Sequence, residues 1–172
     1  MRRKIVLAIT IIVCFLLQTT LFQSLSVASI SPNLLIVVTA AFGFMRGRKE
    51  GMFVGFFCGL LMDLFFGYVL GFYAILYMLI GFLNGIFRKI FYPEDIKLPV
   101  FLIALSDFSF SVAIYFIQFF FRSRFAFGYY FLHIMIPELV YTMIVAIVLY
   151  FILLKVNQKL EGKEKRREKK FV

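Results

Sequence analysis

Three carboxylic acids stand inside otherwise apolar sequence: Asp63, Asp107 and Glu138. The other six, Glu50, Glu94, Asp95, Glu161, Glu164 and Glu168, lie among basic residues in connections or near the carboxyl end. Inserting an acid at the centre of a helix in lipid costs roughly 2.5 to 3.5 kcal/mol, so such groups turn toward the protein interior. Asp107 is flanked by Ser106, Ser109 and Ser111, Glu138 follows Pro137, and His133, Gln118, Asn84 and Thr142 add polar groups nearby. At about 1.5 Å per residue, Asp107 falls near mid-helix and Asp63 and Glu138 toward the outer half, which predicts one outward-facing cavity shared by all three. Such a polar pocket could hold a small ligand or relay protons. The structural alternative is that each acid is neutral, or bonded to serines, an amide or the arginines Arg122 and Arg124, and fixes helix register. Arg122 and Arg124 equally fit residues reaching for outer headgroups.

Asp63 also interrupts a second pattern. Gly47, Gly51, Gly55, Gly59, Asp63, Gly67 and Gly71 recur at a strict spacing of four. Four helical residues turn through about 400°, so the stripe drifts only about 40° per step and wraps slowly around one face. In lipid no hydrophobic force joins helices, and close approach over small residues becomes a main source of association. With Gly81 and Gly85 on the next apolar segment, the stripe predicts a close-packed third and fourth helix, or a surface for another protein.

The elements that must carry these residues follow from composition. Hydrophobic residues make up 63% of the 172-residue chain and aromatics 20%, with apolar runs from Ile5 to Leu154, which is the composition of an integral membrane protein. At about 20 residues per spanning helix there is room for six helices and no sizeable soluble domain. The expected spans are Ile5 to Phe22, Asn33 to Met45, Gly51 to Phe66, Leu70 to Phe87, Leu98 to Phe121 and Phe131 to Leu154. The organisation expected is an all-α transmembrane domain over 1–154 and a basic tail over 155–172. Seventeen of the 19 basic residues fall on one side of this arrangement, with only Arg122 and Arg124 on the other. That asymmetry predicts six spans with both termini cytoplasmic. The second segment is short, roughly 20 Å as a helix against a hydrocarbon core of about 30 Å. A re-entrant loop there would place the basic tail outside, so the expectation is a short helix opening at Pro32, which suits a first turn.

The amino terminus has the basic start, apolar core and small residues Ser26, Val27 and Ala28 of a signal peptide, but its apolar core is long, and a retained anchor helix is expected. Cys14 and Cys58 lie within apolar runs without ligand-spaced partners, which predicts packing residues and neither disulfide nor metal site. Pro137, early in the sixth span, frees a carbonyl and can kink its helix. The tail from Lys155 to Lys170 holds eight basic residues and three acids. It reads as a solvated helical extension that enforces topology, or as a site for anionic lipid headgroups or an acidic partner. The net charge of +10 is explained by this placement, and no nucleic-acid motif accompanies it. With no phosphate loop, no paired histidines and no nucleophile beside a base, the sequence offers no active site and no cofactor.

Taken together, the segments resemble the bacterial rod shape-determining protein MreD family. The resembling stretches are Pro32 to Leu35 opening the second helix, Arg46 to Gly51, Gly55 to Leu64 with its Gly59 and Asp63, and Gly67 with Leu70 and Gly71. Ile136 and Pro137 fit as well, so Pro32 and Pro137 are the motif prolines. Length, six helices and a basic tail extend the similarity over the whole chain, while the specific match lies between Pro32 and Gly85. The chain departs from the pattern at Ser31, where members often have arginine, and near Thr142, where they often have asparagine.

The resemblance implies a non-enzymatic multi-pass subunit of the bacterial cytoplasmic membrane, acting in the elongation machinery that builds lateral peptidoglycan. The partners it implies are the bitopic protein MreC and, directly or through it, the glycan polymerase RodA, a class B penicillin-binding protein and the actin-like protein MreB. The glycine-lined faces or the first helix would pack against the MreC anchor. The family is also similar in fold to substrate-binding subunits of energy-coupling-factor vitamin importers. In that alternative the cavity around Asp63, Asp107 and Glu138 holds a solute and the glycine faces dock on a transport subunit.

Overall fold

The computed structural model describes residues 2–21, 31–67, 69–90, 96–122 and 127–168. Arg124, residues 26–28 and the last residues of the tail lie outside them, as do the side chains of Gln118 and Arg122. The described residues form helices α1 (Arg2–Thr19), α2 (Leu34–Arg46), α3 (Arg48–Phe66), α4 (Phe72–Ile86, continued by a 3-10 turn, Phe87–Ile90), α5 (Lys97–Arg122), α6 (Phe127–Tyr130) and α7 (Ile136–Glu168). A π turn, Phe131–Met135, joins α6 to α7 without a break. No strand occurs among the described residues.

Three of these segments are long and apolar enough to cross a membrane: Phe72–Ile90, Lys97–Ile117 and Gly128–Gly162. Helices α1 and α3 are of spanning length but begin with charged residues, Arg2 to Lys4 and Arg48 to Glu50, and α3 also carries Asp63. Helix α2 has only 13 residues.

The short helix is the centre of the molecule. Every residue from Leu34 to Met45 is buried, and α2 touches α1, α3, α4, α5 and α7. Its sequence is apolar on all faces except for Thr39, the pattern of a helix surrounded by protein. Asn33 caps its first turn, its side chain accepting from the Ile36 amide at 3.4 Å. The Gln18 side chain of α1 accepts from the Leu35 amide at 3.2 Å. At the other end, Arg46 donates through Nε to Asn157 of α7, which in turn donates to Glu161.

Helices α3 and α4 make the most extensive pairing in the fold. They run antiparallel, with Gly51 against Gly81, Gly55 against Tyr77, Gly59 against Ala74 and Gly85 against the Arg48 backbone. At each position a Cβ would collide with the neighbour's main chain, so the glycines allow backbone-to-backbone contact. The Arg48 guanidinium lies 5.4 Å from the centre of the Phe82 ring, and Arg3 of α1 pairs with Glu50.

Two glycines serve turns instead. Gly47, with φ +99°, separates α2 from α3, and Gly71, with φ +96°, precedes α4. Both conformations disfavour a side chain.

Candidate functional site

Asp63 lies at the last turn of α3, only 3% exposed, and reaches the start of α4. Its Oδ2 accepts from the amides of Gly71 and Ala74, each at 3.0 Å, and its Oδ1 from the amide of Tyr73 at 2.9 Å. Helix α4 opens with Gly71, which has no side chain to cap the first turn, so the acid of the preceding helix satisfies those orphan donors. Gly67 lies against the main chain of Asp63, where the chain turns between the helices. Asp63 is therefore engaged at a helix terminus and stands apart from the other two acids.

Asp107 and Glu138 do come together. Asp107 projects from mid-α5 and is 1% exposed; Glu138, in the first turn of α7, is partly buried and lies within its electrostatic reach. The Thr142 hydroxyl lies beside Asp107 and Ser111 beside Glu138. Neither carboxylate oxygen of Asp107 has a partner at hydrogen-bonding geometry.

A polar chain continues from this pair. Thr142 Oγ1 accepts from the Asn33 amide at 3.2 Å, and the Tyr77 hydroxyl donates to Asn33 Oδ1 at 2.9 Å. Residues of α4, α5 and α7 thus meet at the N-terminal end of α2. A Tyr77→Phe substitution removes one of these bonds while keeping the ring, which packs 5.1 Å from Phe110. The expected cost is about 0.6 to 1 kcal/mol, read as a fall in melting temperature of about 2 to 4 °C in detergent.

Pro137 shapes this corner. A proline there lacks an amide hydrogen and crowds the carbonyl four residues earlier. The π turn just before it accommodates the ring, with the Ile136 amide bonded to the carbonyl of Phe131, five residues back. His133 lies in this turn but is exposed, its ring stacked on Tyr129 with centroids 4.3 Å apart and its Nδ1 3.2 Å from the Tyr129 carbonyl oxygen. It does not join the acids.

Ser109 is likewise exposed and bonds to the Leu105 carbonyl of its own helix. Ser106, the residue before Asp107, is buried; it accepts from the Asn84 amide group at 2.7 Å and donates to the Leu102 carbonyl. That pair ties α4 to α5 in a separate contact. Ser111 and Thr142, both named from the sequence among the polar groups near the acids, lie in the cluster, and Asn33 and Tyr77, which the sequence did not place there, join it. Helical spacing offers a signal for two of them: Ser111 follows Asp107 by four residues, and Thr142 follows Glu138 by four.

Both cysteines are buried and free, and no group of three or more His, Cys, Asp or Glu side chains suited to a metal occurs among the described residues. Gly43, Gly51, Gly55, Gly59, Gly81 and Gly85 are enclosed by backbone or side chains of neighbouring helices.

Comparison with curated proteins and with solved structures finds no match. The family model described as rod shape-determining protein MreD matches residues 1–160, which include the α3–α4 glycine contact, Asp63 and the Asp107–Glu138 pair. A match over nearly the whole chain, on an all-helical protein with long apolar helices, establishes that this chain belongs to the MreD family of rod shape-determining membrane proteins.

Proposed function

We propose that the protein is a non-enzymatic scaffold of the cell-elongation complex, binding MreC within the bacterial cytoplasmic membrane and, directly or through MreC, RodA, a class B penicillin-binding protein and MreB. It crosses the membrane six times with both termini in the cytoplasm, and its basic tail beyond residue 154 contacts anionic headgroups. The family match carries the reading. The distribution of basic residues supports the topology.

Of the two faces considered for MreC, the α3–α4 glycines are closed by each other's backbone. Helix α1 is the open one. Among the described residues its main neighbours are α2 and α3, and Ile5, Ile9, Ile12, Val13 and Leu16 form an exposed apolar ridge along it. A single-span anchor helix can lie along that ridge.

The test is photocrosslinking from Ile9 and Leu16 in living cells, with Gly55 as the buried control, together with mild detergent extraction and mass spectrometry. Crosslinks to MreC from α1 and recovery of cell-wall synthases are expected. Recovery of paired ATPases with a membrane coupling subunit, and no MreC, would replace the scaffold with a solute importer.

A further inference from the structure

The Asp107–Glu138 pair is not accounted for by scaffolding. Two acids that approach each other inside a membrane protein repel unless something positive or hydrogen-bonding compensates them. The compensation available among the described residues is small. No Lys, Arg or His there pairs with either acid: Arg46 reaches Asn157, Arg3 reaches Glu50, and His133 stacks on Tyr129. The hydrogen of the Tyr77 hydroxyl is committed to Asn33, and the Asn33 amide to Thr142. Asp107, 1% exposed, has the Thr142 hydroxyl beside it but neither oxygen at hydrogen-bonding geometry to any group.

What the cluster does present is oxygen. Two carboxylates and the hydroxyls of Thr142 and Ser111 converge from α5 and α7. The Tyr77 hydroxyl of α4, which lies within electrostatic reach of both acids, keeps its lone pairs free of any described donor. The Cys58 thiol lies within electrostatic reach of Tyr77 but sits beside Thr39 and reaches neither acid, and no imidazole joins the group, so the donors around the acids are oxygens, which suit hard cations. Glu138 is the more exposed of the pair, beside the exposed Pro137, and provides the way in.

We propose that Asp107 and Glu138, with the hydroxyls of Thr142, Ser111 and Tyr77, form a binding site for a hard, oxygen-coordinated metal cation. Asp107 is the inner ligand and Glu138 the outer one. Occupancy ties α5 to α7 at the end of α2, so the cation stabilises the folded bundle. The site is independent of which proteins the scaffold binds.

The experiment is thermal unfolding of the purified full-length protein, followed by far-ultraviolet circular dichroism. It is run at fixed pH and ionic strength in choline chloride with chelator, then with NaCl or CaCl2 replacing the choline salt. One of the two metals is expected to raise the melting temperature saturably, by about 5 °C at a hundredfold excess over its Kd, and which one does so identifies the ion. Asp107→Asn abolishes the rise and Glu138→Gln weakens it at least tenfold in midpoint, while Ser109→Ala leaves it intact. If Asp107→Asn does not fold, Glu138→Gln and the wild-type titration decide. Equal melting temperatures in choline, sodium and calcium for the wild-type protein overturn the site, as does an unchanged rise in Asp107→Asn or Glu138→Gln. Stabilisation by acid alone, with no metal dependence, means that a proton is the only cation the pair takes and also overturns it.

Discussion

Gly81→Ala is expected to lower the melting temperature by about 6 to 12 °C and to deplete the protein from membranes. A Cβ on Gly81 would collide with the carbonyl oxygen of Gly51, and one on Gly51 with the carbonyl oxygen of Gly81. Where the obstacle is a flexible side-chain tip, a methyl group is accommodated by a rotamer change. Here it is main chain inside a regular helix, so α3 and α4 must separate along their length. Overpacking a well-filled interior costs about 1 to 3 kcal/mol, and the rigid obstacle places this substitution at the upper end, about 3 kcal/mol. In a protein of this size each kcal/mol moves the transition by about 2 to 4 °C. Gly128→Ala is the control, because nothing lies within 4 Å of a Cβ there. A Gly81→Ala protein that melts with the wild type would show that the two helices do not meet through their backbones.

Asp63→Ala is the second large effect, and Asp63→Asn the more informative one. The alanine leaves the amides of Gly71, Tyr73 and Ala74 facing a buried gap with no acceptor. Bonds to a charged acceptor contribute about 1.5 to 3 kcal/mol each, although three on one carboxylate do not add independently. The expected loss is about 3 to 5 kcal/mol, enough to remove the protein from the membrane fraction. Asparagine keeps one acceptor oxygen but turns an amide group toward amide donors, and about 2 kcal/mol is expected. Both are measured as steady-state level and melting temperature alongside cell shape. Normal level and melting with lost shape in Asp63→Asn would instead assign the acid to partner or ligand binding.

Much of this was legible in residue types. The spacing of the glycines pointed to close packing of α3, on α4 or on another protein, because a helix face without side chains invites close approach in lipid and Gly81 and Gly85 offered a second such face on α4. Of the three acids expected to face inward, Asp63 and Asp107 are buried and Glu138 partly so. Their grouping was less accessible. Depth along the helix, counted at about 1.5 Å per residue, groups Asp63 with the other two acids, and depth says nothing about direction. What settles it is the tightness of the turn around Gly67 and Gly71, which folds α4's first amides back onto α3. The sequence did contain a hint: α4 begins with glycine and has no Ser, Thr, Asp or Asn of its own to cap it.

His133 and Ser109 were attractive because of their chemistry and nearness in sequence, yet periodicity argues against them. His133 is five residues from Glu138, about 140° around an ideal helix, and the π turn does not close that angle. Ser109 is two residues from Asp107, about 160° away. Thr142, named both among the polar groups near the acids and as a departure from the family pattern, bonds the Asn33 amide and lies beside Asp107. The central place of α2 was written in its composition, since a helix apolar all round is an enclosed one. Its shortness drew attention to how it spans the bilayer and away from what surrounds it.

The enclosure of α2 has a consequence for how the chain is made. Synthesis runs from the amino end, so α2 is complete before any of the helices α3, α4, α5 and α7 that will cover it. On the six-span topology proposed above, at least part of its surface faces acyl chains during that interval. An amphipathic core helix would hold its polar side in lipid while it waited; α2, with Thr39 as the one polar residue between Leu34 and Met45, has almost nothing to hide. Gln18 of α1 can hold the Leu35 amide from the start and Tyr77 of α4 reaches Asn33 later, whereas Thr142 and Asn157, which bond Asn33 and Arg46 at the two ends of α2, belong to α7 and emerge after the other helices that cover it. The innermost helix is thus fastened in stages, and its bonds to α7 close only after α3, α4 and α5 are in place.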